Sequence, residues 1–533
     1  MESMVTRITL LAFVALLVPS GMSAQTVEAA PGRGGVLNIA LSSPIQSLTA
    51  ATTHHPDLIA AGPMYDALLT YDRNLEPKPW LAKSWTVSED GRTYTFELER
   101  NVTWHDGKPF TSADVKFTIE EILRKYHPSG AVLWANVDSI ETPDPNTVVF
   151  KLAQPSAVFI KILGPYHAKI MPKHVYEGKT FLRNPANRRP VGTGPFKFRE
   201  HRRGSYLIVE KNPNYWKKGL PYLDRIVSKV VRNAAAQIAA LENGEVDLIP
   251  IYMPGHEIPR VEKNPKFAVT ARGYEGGAGV CMLKLNLRRK PLSDLKVRQA
   301  LSYALDKDLI HKLAGYGYGL RTDGFMPRGV GDWYNEDQTT YEHDIEKANQ
   351  LLDEAGSPRG AGGMRFKLQT ELPAGHLTHI RNCEVAKVQL KKVGIDMVLN
   401  LRDVGSHLDI VYNKWDFDIA VAGHGIQFDP ALGGARYLTT EQAGRVPFTN
   451  GGGYSNRRVD ELFAKARIET DPGTRREMFY EIQEILASDI PVIWLYDFPN
   501  PTAYNRDLVG IPMGPSSWGE NYATVAWKRG ARK

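Results

Sequence analysis

The side chains with the clearest capacity for chemistry are histidines, which lie close together at few places in the sequence. His54 and His55 are adjacent, and His376 and His379 are three apart on a predicted helix, where they share one face. His424 stands between two glycines. Imidazoles ligate metals or act as general bases, but a structural metal site needs four ligands at recognisable spacing. These histidines mark candidate sites and define no metal centre.

Common catalytic signatures are absent from the sequence. It contains no HExxH, CxxC, GxSxG or phosphate-loop pattern. A hydrolase would need a nucleophile with a base in hydrogen-bond reach, and no motif supplies that pair. We therefore expect a protein that is not an enzyme and needs no cofactor, with a hydrolase as a remote alternative.

Aromatic side chains provide large contact areas for ligands, and the chain has 10 Trp and 23 Tyr. Trp85 and Trp104 fall inside strand patterns, so we expect them in the core. Trp415, Trp494 and Tyr496 are the aromatic candidates for ligand contact. For these three, core packing is the alternative.

Composition and charge narrow the class of protein. Hydrophobic residues make up 42% of the 533 residues and charged residues 23%, the usual mix of a globular protein and not of a disordered or collagen-like chain. The 66 Lys and Arg against 59 Asp and Glu leave a formal charge of +7. Because basic residues are interspersed with acidic ones, we expect no nucleic-acid partner.

The N-terminal segment 1–24 is typical of a secretory signal peptide. Its apolar run, 8–18, is shorter than the roughly 20 residues of a membrane-spanning helix, and Ser23-Ala24 offers a cleavage site. We expect the mature protein to be exported and soluble. The only cysteines, Cys281 and Cys383, lie too far along the chain to carry a lipid anchor there, and in an oxidising compartment they could pair or stay free.

Local patterns predict a mixed α/β chain without a flexible linker. Alternating segments flank Asp90-Gly91, which predicts a hairpin over 84–98, and Thr111 begins a capping box for a helix. Farther on, strands and amphipathic helices alternate, as in α/β layering. The remaining predictions are strands at 36–41, 226–232, 246–249, 395–399 and 491–495, and helices at 234–242, 294–305, 345–355, 377–393 and 472–486.

Seven motifs occur in one order along the chain, namely 80–85 (WLAKSW), 90–96 (DGRTYTF), 104–115 (WHDGKPFTSADV), 192–196 (GTGPF), 212–216 (NPNYW), 244–247 (GEVD) and 297–306 (VRQALSYALD). Together they resemble the extracellular solute-binding proteins, family 5, that serve ABC importers of oligopeptides, dipeptides and nickel. The resemblance covers nearly the whole mature chain.

This resemblance implies an α/β fold with two lobes, the periplasmic-binding-protein fold of class II, cluster C type, with an extra subdomain in the first lobe. The lobes are expected to close over a ligand by hinge motion. The implied boundaries are a signal peptide at 1–24, a discontinuous lobe I at 31–68 with 190–277 and 490–533, the extra subdomain at 69–189, and lobe II at 278–489.

Peptide binders of the family place an Asp three residues before an acidic-Pro pair, where it takes the ligand's ammonium group. Here the pair is Asp429-Pro430, and the position three before it is Ile426. A buried ammonium without a carboxylate costs several kcal/mol. Either Asp429 supplies the charge from a shifted position, or the ligand is capped, anionic, a sugar derivative or an opine-like conjugate.

Other candidate residues follow from the same resemblance. His424 lies in the predicted ligand loop and could donate to an anion, ligate a metal or turn the chain, and one histidine of the pair at 54–55 is expected to face the cleft. Trp494 and Tyr496 resemble the aromatic residues that line the cleft near the hinge in this family. The candidate ligand-binding residues are His54, His55, Trp415, His424, Ile426, Asp429, Trp494 and Tyr496.

The function that the resemblance implies is the substrate-binding component of an ABC importer. We expect a periplasmic monomer that captures a peptide or peptide-like solute and delivers it to a permease and ATPase complex at the inner membrane. A nickel-binding or metal-chelate-binding protein, with His54, His55 and His424 as an imidazole cluster, is an alternative within the family. The sequence also permits a sensory binding protein and, more remotely, a secreted hydrolase.

Overall fold

The computed structural model describes residues 31–72, 74–251, 253, 255–277, 279–374, 376–498, 500–517 and 519–531. The predicted signal peptide, 1–24, lies outside these residues. Within them, no helix is long and apolar enough to cross a membrane.

The strands are, in chain order, β1 (Val36–Leu41), β2 (Leu69–Tyr71), β3 (Pro77–Pro79), β4 (Ala82–Val87), β5 (Thr93–Leu98), β6 (Val137–Asp144), β7 (Thr147–Leu152), β8 (Phe196–Arg202), β9 (Tyr206–Lys211), β10 (Arg225–Val230), β11 (Leu248–Ile249), β12 (Phe267–Thr270), β13 (Gly279–Leu285), β14 (Phe366–Pro373), β15 (Ile395–Arg402), β16 (Ile419–Gly425), β17 (Val492–Asp497), β18 (Thr502–Asn505), β19 (Leu508–Val509) and β20 (Ala526–Trp527). Strands are present at all the predicted positions, with ends that differ by a few residues.

The helices are α1 (His55–Ala61), α2 (Ser112–Phe117), α3 (Arg124–Tyr126), α4 (Gly130–Leu133), α5 (Lys173–Tyr176), α6 (Ala234–Glu242), α7 (Ile258–Lys263), α8 (Leu295–Ala304), α9 (Lys307–Ala314), α10 (Ile345–Glu354), α11 (Leu377–Lys392), α12 (Val404–Leu408), α13 (Pro430–Leu438), α14 (Arg457–Ile468) and α15 (Pro472–Asp489). The capping box at Thr111 is confirmed, and Asp471 caps α15 by accepting from the backbone N–H of Thr474.

Two large sheets organise the chain. The seven-stranded sheet has the order β12-β18-β11-β1-β10-β9-β8, and β1 runs parallel to both β10 and β11. Its strands come from three separate stretches of sequence. The five-stranded sheet has the order β15-β14-β16-β13-β17. A four-stranded sheet, β4-β5-β7-β6, contains the predicted hairpin of β4 and β5.

The strand pairing bears on one predicted boundary. We expected the whole of 490–533 in lobe I, but β17 pairs antiparallel with β13 in the five-stranded sheet. The reason is that β17 is buried along nearly its whole length and closes the edge of that sheet beside β13. The chain returns to the seven-stranded sheet only at β18. All of the domain boundaries remain predictions.

The carboxylate of Asp66 joins segments that are distant in sequence. It is 2% exposed and accepts hydrogen bonds from the indole N–H groups of Trp80 (2.8 Å) and Trp216 (3.1 Å). Further donors are the Thr193 hydroxyl (3.1 Å), the Tyr215 hydroxyl (3.3 Å) and the side-chain amide of Asn521 (2.8 Å). A buried carboxylate is stable when its oxygens are fully hydrogen-bonded, as they are here.

Two glycines of the GTGPF motif lie too close to the backbone before Asp66 for any side chain to fit. A Cβ at Gly192 would lie 1.8 Å from the carbonyl oxygen of Met64, and one at Gly194 would lie 2.5 Å from that of Pro63. The motif therefore passes directly over the backbone that precedes Asp66. The ring of His105 also holds the motif, through hydrogen bonds with the carbonyl oxygen of Gly194 and the N–H of Gly192.

We predict that Asp66→Ala lowers the free energy of unfolding by about 3–5 kcal/mol, because it leaves buried donors from four segments without an acceptor. Thermal and urea unfolding of the ligand-free protein would measure the change. Asp138→Ala, at an exposed position of β6, is the control and should alter stability by less than about 0.5 kcal/mol. Equal effects of the two substitutions would contradict this role for Asp66.

Candidate functional site

The segment between β16 and α13, which we call the 425–430 loop, is held in an uncommon backbone conformation. Gln427 and Phe428 have φ angles of 52° and 69°, in the left-handed region that few residues other than glycine adopt. Such strain persists only where surrounding contacts impose it, and it is often found at ligand sites. The contacts of the loop identify what holds it.

Asp429 already has partners within the protein. It is 2% exposed, forms a close ion pair with Arg475 of α15 and caps α13 by accepting from the N–H of Ala431 at 2.9 Å. Its charge is therefore neutralised by Arg475 and by the helix N-terminus. The hypothesis that Asp429 supplies the missing ammonium-binding charge from a shifted position does not fit this geometry.

Phe428 links the loop to other parts of the chain. Its N–H donates to the carbonyl of Gly276, and a Cβ at Gly276 would lie only 2.2 Å from its ring. The ring also contacts Tyr71 (5.5 Å between centroids), Tyr166 (5.6 Å) and His167 (5.8 Å). Phe428, which follows β16 of the five-stranded sheet, thus packs against the segment before β13, against β2 and against residues 166–167.

A cavity of about 500 Å³ lies on one side of the loop. Ile426 contributes to its wall, and Lys161 and Arg475 bring positive charge near the acidic Glu76 and Asp332. The complete lining is Asn74, Leu75, Glu76, Lys161, Gly329, Val330, Gly331, Asp332, Trp333, Ile426, Phe428, Asp429, Pro430 and Arg475. The loop therefore borders a space large enough for a small solute.

Lys284 lies behind His424 and is almost fully buried. Its ammonium donates to the Thr449 carbonyl (2.9 Å), the Tyr412 hydroxyl (3.3 Å) and His424 Nε2 (3.4 Å). When Lys284 is protonated, Nε2 accepts from it, and the proton of a neutral His424 is then on Nδ1. Burial, with a smaller contribution from Arg436, lowers the pKa of Lys284 to about 7.

Arg436 of α13 adds a second cation beside this lysine. Its guanidinium is half-buried and makes one long hydrogen bond, 3.4 Å, to the Pro447 carbonyl. Burial raises the pKa of Tyr166 to about 12, and Arg436 opposes that shift from across the site. Burial also lowers the pKa of His424, and Lys284 and Arg436 lower it further. We call Lys284, His424 and Arg436 the cationic cluster.

The segment near the C-terminus contributes a second pair of buried charged groups. Burial raises the pKa of Glu520 and lowers that of Lys169, and each residue opposes the other's shift. Lys169 is 3% exposed. These two groups balance one another, whereas no carboxylate contributes to the pKa shifts of the cationic cluster.

The predicted histidines are not brought together. His54 precedes α1, where its ring contacts Asp57 (3.1 Å) and Ser43 (3.2 Å). His55 is the first residue of α1, and burial lowers its pKa to about 4. His424 stacks on Tyr437 at 4.5 Å. In the described parts of the chain, no group of three or more His, Cys, Asp or Glu is arranged to hold a metal, so His54, His55 and His424 do not form an imidazole cluster in this conformation.

Two of the three predicted aromatic contact residues are buried. Tyr496 is fully buried and donates to Asn382 at 2.7 Å, and Trp494 is 3% exposed in the core. Both belong to β17, which lies in the interior. Trp415 stacks between the guanidinium groups of Arg288 and Arg445, at 4.2 and 5.3 Å.

The predicted residues fall into two groups. Those around the site are His424, Ile426 and Asp429, and those that contact other elements are His54, His55, Trp415, Trp494 and Tyr496. The cysteines, Cys281 and Cys383, are free thiols. Sequence reasoning missed Lys284, although a single lysine inside the otherwise apolar strand β13 is a detectable signal. The sequence around Arg436 and Phe428 shows no comparable pattern.

The matched sequence family agrees with this architecture. Residues 76–445 match the family described as Bacterial extracellular solute-binding proteins, family 5 Middle. Because the match covers more than half of the chain, the protein belongs to this family. Its members are substrate-binding proteins of ABC importers.

Individual relatives extend the comparison to nearly the whole chain. The glutathione-binding protein GsiB of Escherichia coli (strain K12) is 29% identical over 466 residues, which cover 85% of this chain and 87% of GsiB. The periplasmic binding protein DppA from Helicobacter pylori, solved with peptide STSA, has a TM-score of 0.78 and 27% identity, covering 93% of this chain and 99% of DppA.

A third relative is the binding protein AgaA from A. tumefaciens R10, solved with agropinic acid. It has a TM-score of 0.76 and 26% identity, and the alignment covers 92% of this chain and 99% of AgaA. The structural similarity confirms the two-lobed α/β fold that the seven motifs predicted. The positions of the lobe boundaries are not fixed by it.

We predict that Asp429→Ala and Arg475→Met each lower the free energy of unfolding by about 3–5 kcal/mol, because each leaves a buried charge unpaired. The double variant should lose less than the sum of the two, and chemical denaturation would measure this coupling. Glu461→Ala, which breaks an exposed pair with Arg457, should cost less than about 1 kcal/mol. Additive losses would show that Asp429 and Arg475 act independently.

Proposed function

We propose that this protein captures a peptide-like solute between its two lobes in the periplasm and delivers it to the permease of an ABC importer. The observation that carries the proposal is the 425–430 loop. It borders a cavity of about 500 Å³ and contacts segments on both sides of it. A solute that touches both lobes binds the closed form more tightly and shifts the population towards it.

The relatives support a small solute but differ in what their names and titles say they bind. These are glutathione for GsiB, a peptide for DppA and agropinic acid for AgaA. Ile426, where peptide binders of the family place an Asp, favours a ligand without a free ammonium at that position. The N-terminal segment 1–24 supports export.

Native mass spectrometry would test the proposal on protein exported into a bacterial periplasm. We expect a retained small molecule, which denaturation releases and mass spectrometry identifies. Added back at 100 times its dissociation constant, it should stabilise the protein by about 2.7 kcal/mol. A protein that retains nothing, and that no peptide, opine or glutathione stabilises, would contradict the proposal. Deletion of the gene should abolish uptake of the identified solute.

We predict that Phe428→Ala shifts the ligand-free protein towards a more open form. The ring is the part of the loop that packs against Tyr71, Tyr166 and Gly276, so its loss removes contacts made only when the lobes are together. Small-angle X-ray scattering should give a larger radius of gyration. Leu182→Ala, at an exposed position of the predicted subdomain, is the control. An unchanged radius for Phe428→Ala would contradict a role in closure.

A further inference from the structure

The cationic cluster has an unusual electrostatic property. Lys284 is 2% exposed, and its ammonium contacts a carbonyl, a hydroxyl and an imidazole, none of which carries a negative charge. Arg436 has one long hydrogen bond to a carbonyl. None of the ion pairs in the described residues includes either side chain. A buried cation without a counter-ion is costly, and proteins normally pair or neutralise it.

Two other buried cations of the protein have carboxylate partners. Arg475 meets Asp429 beside the neighbouring cavity, and Lys307 meets Asp323 in the predicted second lobe. The cationic cluster differs from both of these pairs, and it lies next to the loop that borders the cavity. Position 426 of that loop holds isoleucine, which offers no negative charge.

The cluster also has donors directed away from its internal contacts. His424 Nε2 accepts from Lys284, so a neutral ring carries its proton on Nδ1, and no acceptor in the described chain reaches that atom. His424 and Arg436 are each partly exposed as residues. Arg436 retains most of its five N–H donors, whose planar geometry matches a carboxylate.

We infer that the protein's solute carries a carboxylate that binds to Arg436 and His424, with Lys284 behind them, and that it has no free ammonium group at position 426. This inference names the substrate class and rests on the proposed function. The bound carboxylate is the counter-ion that the chain itself does not provide. The side chains of the cluster all belong to the predicted second lobe, so the carboxylate end of the solute binds there.

Three tripeptide probes would test this substrate class by calorimetry on refolded, ligand-free protein. The first is N-acetylated with a central glutamate and a free C-terminal carboxylate. The second has glutamine and a C-terminal amide in place of those charges, and the third has a free N-terminus, a central lysine and a C-terminal amide. We expect the first to bind at least tenfold more tightly than the others. Equal or tighter binding of the uncharged or basic probe would overturn the inference.

Substitutions within the cluster separate charge recognition from folding. Arg436→Gln, on a half-buried side chain, and Lys284→Met should each weaken binding of the acidic probe by about thirtyfold or more. Lys284→Met removes an uncompensated buried charge, so the ligand-free variant should be at least as stable as the parent protein. Lys367→Met, on the same sheet with its side chain 73% exposed, is the control and should bind normally. Unchanged binding by both cluster variants would overturn the inference.

The pH dependence gives an independent readout. The groups that face Lys284 are Tyr412, His424, His407 and Arg436, and burial keeps both histidines and the tyrosine uncharged between pH 6 and 9. Lys284 has a pKa of about 7, and a bound carboxylate raises it, so affinity for the acidic probe should fall as the pH rises above 7. Lys169 and Glu520 titrate in both the parent protein and Lys284→Met. If affinity no longer falls above pH 7 in Lys284→Met, the decrease in the parent protein therefore arises from Lys284.

The outcomes distinguish the inference from the proposed function. Retention of a solute from the periplasm with no binding of the acidic probe would overturn the carboxylate assignment and leave the solute-binding role standing. Failure to retain or bind any solute would overturn both. Binding of the acidic probe that depends on Arg436 and Lys284 would support both.

Discussion

The structure depends on one buried carboxylate. Asp66 accepts hydrogen bonds from side chains at 80, 193, 215, 216 and 521, which span almost the whole described chain. A single acceptor with donors from four segments fixes their relative positions more strictly than apolar packing, because a shift of any segment leaves a buried polar group unpaired. The segment that carries Glu520 and Asn521 is placed by the same network.

The motifs that identify the family are explained largely by this arrangement and not by ligand contact. Trp80, Thr193 and Trp216 each belong to one of the seven motifs, and all three meet Asp66. Gly192 and Gly194 allow the chain to cross the backbone before Asp66. A sequence can therefore reveal the family through residues that build the scaffold, while the candidate solute-binding residues of this chain lie elsewhere.

The same distinction explains what the sequence could predict. Helix caps, hairpin turns and apolar periodicity are local, so the hairpin of β4 and β5 and the helix that begins after Asp471 were predicted correctly. The partner of Asp429 is 46 residues away, and no local pattern indicates that Arg475 reaches it. Trp494 and Tyr496 have the composition of a binding site, yet both are buried in β17, the strand that pairs with β13 at the edge of its sheet, and only the structure shows this burial.

Charge balance connects the remaining observations at the site. Asp429 and Arg475 neutralise one another, and Lys169 opposes the pKa shift of Glu520, so these two buried carboxyl groups already have cationic partners. Lys284 and Arg436 have no carboxylate partner among the ion pairs of the described residues, and Ile426 adds no negative charge to the neighbouring loop. A peptide ammonium added here would increase the imbalance, whereas a carboxylate would remove it. The absence of an acidic side chain at 426 and the presence of the cationic cluster therefore favour the same sign of charge on the solute.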